Sequence, residues 1–321
     1  MQVSITDLQE LVFNKLNKIY DDEDSKKIGD VIMYSELSGM GSHGLLRLVG
    51  GYYDQIDPKR TGKPEIKKIS QNVSLVDGKF NSGMLILSVG TDEAISLGSN
   101  NPISLVGMNN SKSTAGYISY FLRKIAKVDL IGIIMVRAMA TSVGFGSKYP
   151  LFGTNPIGFA IPGEEDLILD MGTSAITYGA LMKAQSLGQS IPEGIAYDKA
   201  GNLTTDPTQA MEGSLLTFDK GYKSAGLAMI AEILAGILTG AGFGKDINSD
   251  EWGNIIITIK PDVFISKELF TARLKEYITF IKSKNDNGRL PGENSLKIYT
   301  ENIKKGSIEV DDSIMKKLGE V

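Results

Sequence analysis

The chain has no cysteine and a single histidine in 321 residues. The first absence rules out disulfides, thiolate metal sites and thiol nucleophiles, and it fits a reducing compartment. The second makes a histidine-based metal cluster impossible, so no metal is expected. Proline is sparse, at ten residues, and no segment has the composition of a disordered tail, so order is predicted almost throughout. Net positive charge is missing too. The 34 Lys and Arg against 38 Asp and Glu leave a formal charge of -4, which argues against a nucleic-acid partner, because phosphate affinity rests on clustered cations. The basic pieces 281-IKSK-284 and 303-IKKG-306 read as solvated helix faces. The longest apolar stretch, 225–244, carries Glu232 near its middle and several glycines, so it reads as a buried helix packed through small residues and not as a membrane span. The first residues, MQVSITDLQELVF, include acids where a secretory signal needs positive charge and an apolar core. The mature chain is therefore expected to start near Met1 and to reside in the cytoplasm.

What is present is an ordinary globular balance, 42% hydrophobic, in a length that suggests roughly two domains. Residues 5–20 put Leu8, Leu11, Val12, Leu16 and Ile19 on one helical face, with Thr6 or Asp7 available as a cap. A second helix runs through Ile28, Val31, Ile32 and Leu37. The segment 54–68 concentrates turn formers and charge and reads as an exposed linker, which places a domain boundary near residue 70. Beyond it, strand-like runs at 72–77, 103–108, 130–136, 157–162, 167–171 and 254–260 alternate with helices after Met84 and near 116–127, 174–187, 223–241 and 266–283. The final helices, 295–305 and 311–321, are expected to pack back on the N-terminal unit. The predicted organisation is a helical domain of residues 1–70 with 286–321 and an α/β domain of residues 71–285. Periodicity alone favours a parallel, doubly wound sheet.

Residues 39-GMGSHG-44 satisfy the G-x-G-x-x-G pattern of a dinucleotide phosphate loop. That mechanism needs a strand before the glycines and a helix after them, whereas here a helical pattern precedes them, so they read as a tight bend. The bend holds the lone histidine in 42-SHGLLR-47. If it continues into a helix, His43 and Arg47 share a face. Such a pair suits a 2-oxo acid, because arginine can hold the carboxylate bidentately while imidazolium protonates the adjacent carbonyl oxygen. A surface histidine beside a solvated arginine fits the spacing equally well.

The segments 42-SHGLLRL-48, 153-GTNPIGFAIP-162, 170-DMGTS-174, 190-SIPEGIAYDKAGNLTTDP-207, 223-KSAGLAMIAEILAGILTGAGFG-244 and 289-RLPGE-293 resemble, in order and spacing, the signatures of the malate/L-lactate dehydrogenase family. Within it, 176-ITYGAL-181, 250-DEWG-253 and 308-IEVDDSIMKKL-318 most resemble the 2,3-diketo-L-gulonate reductase branch. The resemblance implies an α/β fold with a mixed, largely antiparallel sheet in place of the doubly wound one, plus a small helical domain from the two ends of the chain. It implies reduction of a small 2-oxo or 2,3-dioxo acid, a homodimer, and NAD as cofactor with NADP left open. By the same resemblance His43 is the proton donor, Arg47 the carboxylate anchor and Asn155 a shaper of the substrate pocket. Cofactor contacts fall on Leu169, Asp170, Met171, Gly172, Thr173, Ser174 and Ala175, on Tyr222 and Lys223, and on Gly292, Glu293 and Asn294. The helix 223–243 is expected to lie against the sheet, with Lys223 exposed at its start and helping to hold the cofactor pyrophosphate.

Three positions depart from the family pattern. Ser113 stands where many members have a second histidine, Ala180 where a lysine is common, and Arg137 where an asparagine is usual. Catalysis is then expected to rest on His43, and the competing reading is a silent family member that binds a nicotinamide cofactor or a metabolite.

Overall fold

The structure, a computed structural model, describes residues 1–49, 56, 60–144, 146–244, 251–285 and 288–319. Residues 54, 55 and 57–59 of the segment read as a linker, 54–68, and the first residue of 250-DEWG-253 lie outside these residues. The chain opens with strand β1 (Gln2–Ser4) and helix α1 (Ile5–Leu16). The helix cap is Ser4, not Thr6 or Asp7, because the Ser4 hydroxyl accepts from the Asp7 amide at 3.0 Å. Helix α2 (Asp22–Leu37) starts under Asp21, which accepts from the Asp24 amide, and three acids fill its first turn where the helix dipole favours them. Two short 3-10 turns follow, Gly41–His43 and Leu45–Leu48.

Strand β2 (Glu65–Ser70) comes next, then β3 (Val73–Ser82), α3 (Gly83–Asn100), β4 (Ile103–Lys112), α4 (Ser119–Ala126), β5 (Ile131–Arg137), β6 (Ile157–Ile161) and β7 (Leu167–Met171). Helix α5 (Tyr178–Ser186), β8 (Ala196–Tyr197), α6 (Pro207–Glu212) and β9 (Ser214–Leu215) form an outlying unit with its own apolar cluster around Leu181, Ile191, Ile195 and Leu215. Helix α7 (Tyr222–Ala231) leads to β10 (Trp252–Ile259), and α8 (Lys267–Lys284), α9 (Glu293–Lys305), β11 (Ser307–Glu309) and α10 (Asp312–Gly319) complete the chain.

The main sheet has the order β2-β3-β4-β10-β5-β6-β7. Only β3 and β4 pair in parallel, joined by α3 as a crossover, and the other neighbours are antiparallel. The sheet is therefore mixed and largely antiparallel, and the doubly wound topology favoured by periodicity is not formed. The reason is β10, which returns from the far end of the chain and inserts antiparallel between β4 and β5. Strand β2 corrects the linker reading at 65–68 and moves the end of the N-terminal helical part to before Glu65. It is an edge strand exposed on both faces, so it shows no burial alternation to read.

The two ends of the chain meet. Strand β1 pairs antiparallel with β11, and the Met1 ammonium donates to the Val310 carbonyl at 2.7 Å. One apolar cluster runs from Val3 through the sheet to Leu318, joining the terminal helices to the strands. Helix α7 does not continue as one α-helix to 243, because residues Glu232–Ile237 form a π-helical turn. The buried side of this stretch is made of Ala225, Ala228, Ala231, Ala235 and Gly236, small enough for a close approach to β5 and β10. Among the described residues no helix is long and apolar enough to cross a membrane.

Gly292 closes the approach of α9 to the sheet. Its φ is +84°, and a Cβ there would stand 2.9 Å from Ile168, whose amide donates to the Pro291 carbonyl. Gly292→Ala is expected to lower the free energy of unfolding by about 1–3 kcal/mol. A urea midpoint equal to that of the unmodified protein would show instead that this turn relaxes freely.

Candidate active site

A cavity of about 400 Å³ lies between the N-terminal turns, the end of β7 and the start of α5, and both His43 and Arg47 line it. They reach it from two consecutive 3-10 turns and not from one α-helix, so the shared-face argument for four-residue spacing does not apply; the fold of the bend brings them together. The Ser42 hydroxyl and His43 Nδ1 are hydrogen-bonded at 3.0 Å, and Arg47 Nε donates to the Ser42 carbonyl at 2.9 Å. Arg47 is buried, and its guanidinium packs beside Gly179 at the start of α5. The Tyr117 ring lies 6.4 Å from the imidazole, centre to centre.

Asp170 faces the same cavity and also accepts from the amide and hydroxyl of Ser119, at 3.0 and 3.1 Å, so it does cap a helix, the start of α4. A groove of about 390 Å³ shares Asp170 and Tyr117 with the cavity and is lined further by Leu169, Arg289, Gly292 and Asn294. Glu293, in the first turn of α9, accepts from the Leu290 amide, and Arg289 donates to Asn294 Oδ1. Residues predicted from three distant segments, His43 with Arg47, Leu169, Asp170 and Gly172, and Gly292 with Asn294, thus border two adjoining spaces.

Others do not. Thr173 and Ala175 hold the chain after β7 to neighbouring backbone, Thr173 through the Thr154 carbonyl and Ala175 through Leu216. Ser174 bonds to the carbonyl of Ile176, and Met171 does not line either space. Asn155 does not itself line the cavity. It is fully buried, accepts from the Ala138 amide at 3.0 Å, and donates to the Ala228 carbonyl and to Glu232 Oε2. Tyr222 lines a separate space of about 360 Å³, reached on the other side of segment 141–144, and Lys223 is exposed. At the start of α7 the Asp219 carboxylate already accepts from the Gly221 amide.

Sequence reasoning missed much of the wall: the loop Thr114–Ile118, Met139, Thr177, Tyr178 and Trp252. These come from four further stretches of chain and carry no spacing signal of their own.

The departures from the family pattern fall outside the cavity lining. Arg137 is completely buried, paired through Nε with Glu232 at 3.2 Å, and donates to the Glu251 carbonyl. Ala180 donates its amide to the capping hydroxyl of Thr177. Ser113 is buried with φ +72°.

The residues present fit a nicotinamide cofactor. The main cavity offers ring-sized space with a mostly uncharged lining, and the adjoining groove offers the Arg289 cation beside the start of a thirteen-residue helix, where anionic groups are favoured. Among the described residues no cluster of three or more His, Asp and Glu side chains is placed to hold a metal ion.

A model of the malate/L-lactate dehydrogenase family matches residues 3–319. The chain is 34% identical over 333 residues to the malate/(S)-sulfolactate dehydrogenase of Methanothermus fervidus, covering 100% of this chain and 97% of that one. It is 32% identical over 290 residues to the ureidoglycolate dehydrogenase (NAD(+)) of Escherichia coli, covering 86% and 82%. The solved sulfolactate dehydrogenase from Methanocaldococcus jannaschii superposes with a TM-score of 0.83 at 28% identity, covering 100% and 96%. The chain therefore belongs to the malate/L-lactate dehydrogenase family, a class of nicotinamide-dependent 2-hydroxy acid dehydrogenases.

Burial, and then the Arg47 guanidinium, push the His43 imidazole down to about 3. In the unfolded chain it takes up a proton near pH 6.5. Its neutral folded form thus contributes stability that is present above about pH 6.5 and lost as pH falls from there toward 3. Asp170 acts in the opposite sense. Burial raises it to about 6 against the bonds from Ser119, so its ionisation costs stability above that pH, and the cost fades as pH falls from 6 toward 3.8. Because His43 is the only histidine, its ring signals in an NMR titration are unambiguous. They should show no protonation step between about pH 5 and pH 8; a midpoint near the ordinary value of about 6.5 would refute the buried, Arg47-repelled imidazole.

Proposed function

We propose that the protein interconverts a small 2-oxo acid, or 2,3-dioxo acid, and its 2-hydroxy acid, working as a reductase with NAD as cofactor, NADP being the alternative. The observation that carries this reading is the convergence of the lone histidine and a buried arginine on one cavity that opens beside Asp170 and Gly172. When bound, the nicotinamide supplies the hydride for the carbonyl carbon. Arg47 takes the substrate carboxylate, which sets the adjacent carbonyl beside His43. With Nδ1 engaged by Ser42, the imidazole keeps Nε2 for the substrate oxygen. A neutral His43 is the form that accepts the hydroxyl proton in oxidation. Reduction needs the protonated form, and a carboxylate paired with Arg47 favours it by cancelling the charge that depresses the imidazole.

In this reading Leu169, Asp170, Met171, Gly172, Thr173, Ser174 and Ala175 form the cofactor segment at the end of β7, Leu169, Asp170 and Gly172 by contact and the last three by holding its backbone. Gly292, Glu293 and Asn294 with Arg289 take the anionic part, and Tyr222 and Lys223 complete the set from beyond segment 141–144. The helical lobe, expected as residues 1–70 with 286–321 and here taken to end before strand β2 at Glu65, carries His43, Arg47 and Gly292–Asn294 against the sheet unit. A cytoplasmic location belongs to the same reading.

His43→Asn should lower turnover by roughly 10²–10⁴-fold while leaving NADH affinity within a few-fold of the unmodified protein. A panel of 2-oxo and 2,3-dioxo acids, followed by loss of NADH absorbance, separates the alternatives. Turnover with any of them that depends on His43 supports the reductase; NADH binding without turnover of any acid would favour the silent family member.

A homodimer is also proposed. It is supported by the outer side of α7 and the π turn, where Leu227, Ile230, Ile233, Ile237 and Leu238 stand exposed, an apolar strip of the kind that marks protein interfaces. Sedimentation should give twice the 34.7 kDa chain mass, and Ile230→Asp should shift it toward the monomer. A monomer before substitution would contradict this.

A further inference from the structure

Glu36 is an acid in the last turn of α2, where the helix dipole disfavours negative charge, and it is half-buried. Its place is explained by what it holds. Glu36 Oε2 accepts from the Leu45 amide at 2.8 Å, the first residue of the turn that carries Arg47. Oε1 lies 3.5 Å from where a Cβ on Gly41 would stand, at the start of the turn that carries His43. At Gly44, between the two turns, a Cβ would come within 2.1 Å of Oε2 and 3.0 Å of the Glu36 backbone. The glycines of 39-GMGSHG-44 that imitate a phosphate loop thus include two that let the chain wrap onto a carboxylate. Gly179 of α5 also packs closely here, a Cβ on it standing 3.2 Å from the Ser42 carbonyl and from the Arg47 guanidinium.

We propose that Glu36 is a positioning residue for the reaction, a carboxylate clamp that fixes the two 3-10 turns so that His43 and Arg47 face one cavity together. The proposal rests on the roles given above to those two residues. It adds that neither turn holds its orientation alone: short 3-10 turns have weak hydrogen bonding, and here the connecting amide is satisfied by a side chain from another helix. The charged groups that bear on the clamp are few. Burial raises the pKa of the Glu36 carboxyl, opposed first by the Leu45 bond and then by Lys183 of α5, both of which favour the ionised form. Arg47 is the charge that bears on the imidazole.

The test uses Glu36→Ala, Glu36→Gln and Gly44→Ala, each checked by circular dichroism and thermal melting. An amide oxygen can accept from Leu45 as a carboxylate does, so Glu36→Gln should stay within about threefold of normal kcat/KM. Glu36→Ala should lower kcat and raise KM together, for a combined loss of roughly ten- to a hundredfold. The ring signals of the single histidine provide a readout independent of turnover. In Glu36→Ala and in Gly44→Ala, where the carboxylate remains but the chain is forced off it, the signals should shift and the imidazole should titrate closer to its ordinary value. Should Glu36→Ala fail to fold, Gly44→Ala carries the same expectation. Unmoved His43 signals in both variants, or Glu36→Gln as impaired as Glu36→Ala, would overturn the clamp. Full turnover in His43→Asn would overturn the catalytic reading and leave the ring-signal result standing.

Discussion

The Arg123 guanidinium holds the three parts of the site in register. It sits on α4, is almost completely buried, and donates from Nε to the Tyr34 hydroxyl at 2.5 Å and from Nη2 to the Gly292 carbonyl at 2.9 Å. Tyr34 belongs to α2, the helix that leads into the turns bearing His43 and Arg47; Gly292 opens α9; and α4 itself is capped by Asp170 of β7. A buried cation must be surrounded by acceptors or it destabilises the fold, so these partners constrain one another. The Tyr34 ring is also flanked by Tyr117, Tyr120 and Tyr299, with centroids 5.1 to 5.9 Å away, which adds apolar packing to the same junction. Terminal helices and sheet could not slide past each other without breaking that set.

Around this junction the electrostatics are set by burial. His43 is driven toward its neutral form and Asp170 is made easier to protonate, so the cavity suppresses ionisation of two of its charge-bearing groups while Arg47 keeps its own. A space with one lasting cation, an imidazole held neutral and a carboxyl with a raised pKa suits an anionic substrate whose arrival changes the proton affinity of its neighbours. The departures at Arg137, Ala180 and Ser113 do not disturb that arrangement. Arg137 pairs with the buried Glu232, which also accepts from Asn155, so a change that reads in sequence as the loss of a functional group belongs to an interior network.

The elements with strong local patterns were legible before any coordinates. The apolar runs that became β4, β5 and β10 and the amphipathic face of α1 announced themselves, whereas the helix expected over 225–244 is α-helical only as far as Ala231. What failed locally were β2, exposed on both faces, and β1, β8, β9 and β11, each only two or three residues long. The π turn at Glu232 left no trace either, because its sequence, EILAGI, carries no pattern that separates a π turn from a continuing α-helix.

The sequence by itself determined the class of protein, through ordered segments that place the chain in its family, and it excluded thiol chemistry by having no cysteine. Tertiary structure alone decided which of the named residues meet. It set Asp170 in one cavity with His43 and Gly292 in the groove adjoining it, withdrew Asn155 into the interior, and inserted β10 between β4 and β5. Period and composition report which face of an element is buried, but not against what. Contacts between residues more than a hundred positions apart, such as Arg123 with Gly292, depend on long-range packing that a local pattern does not encode.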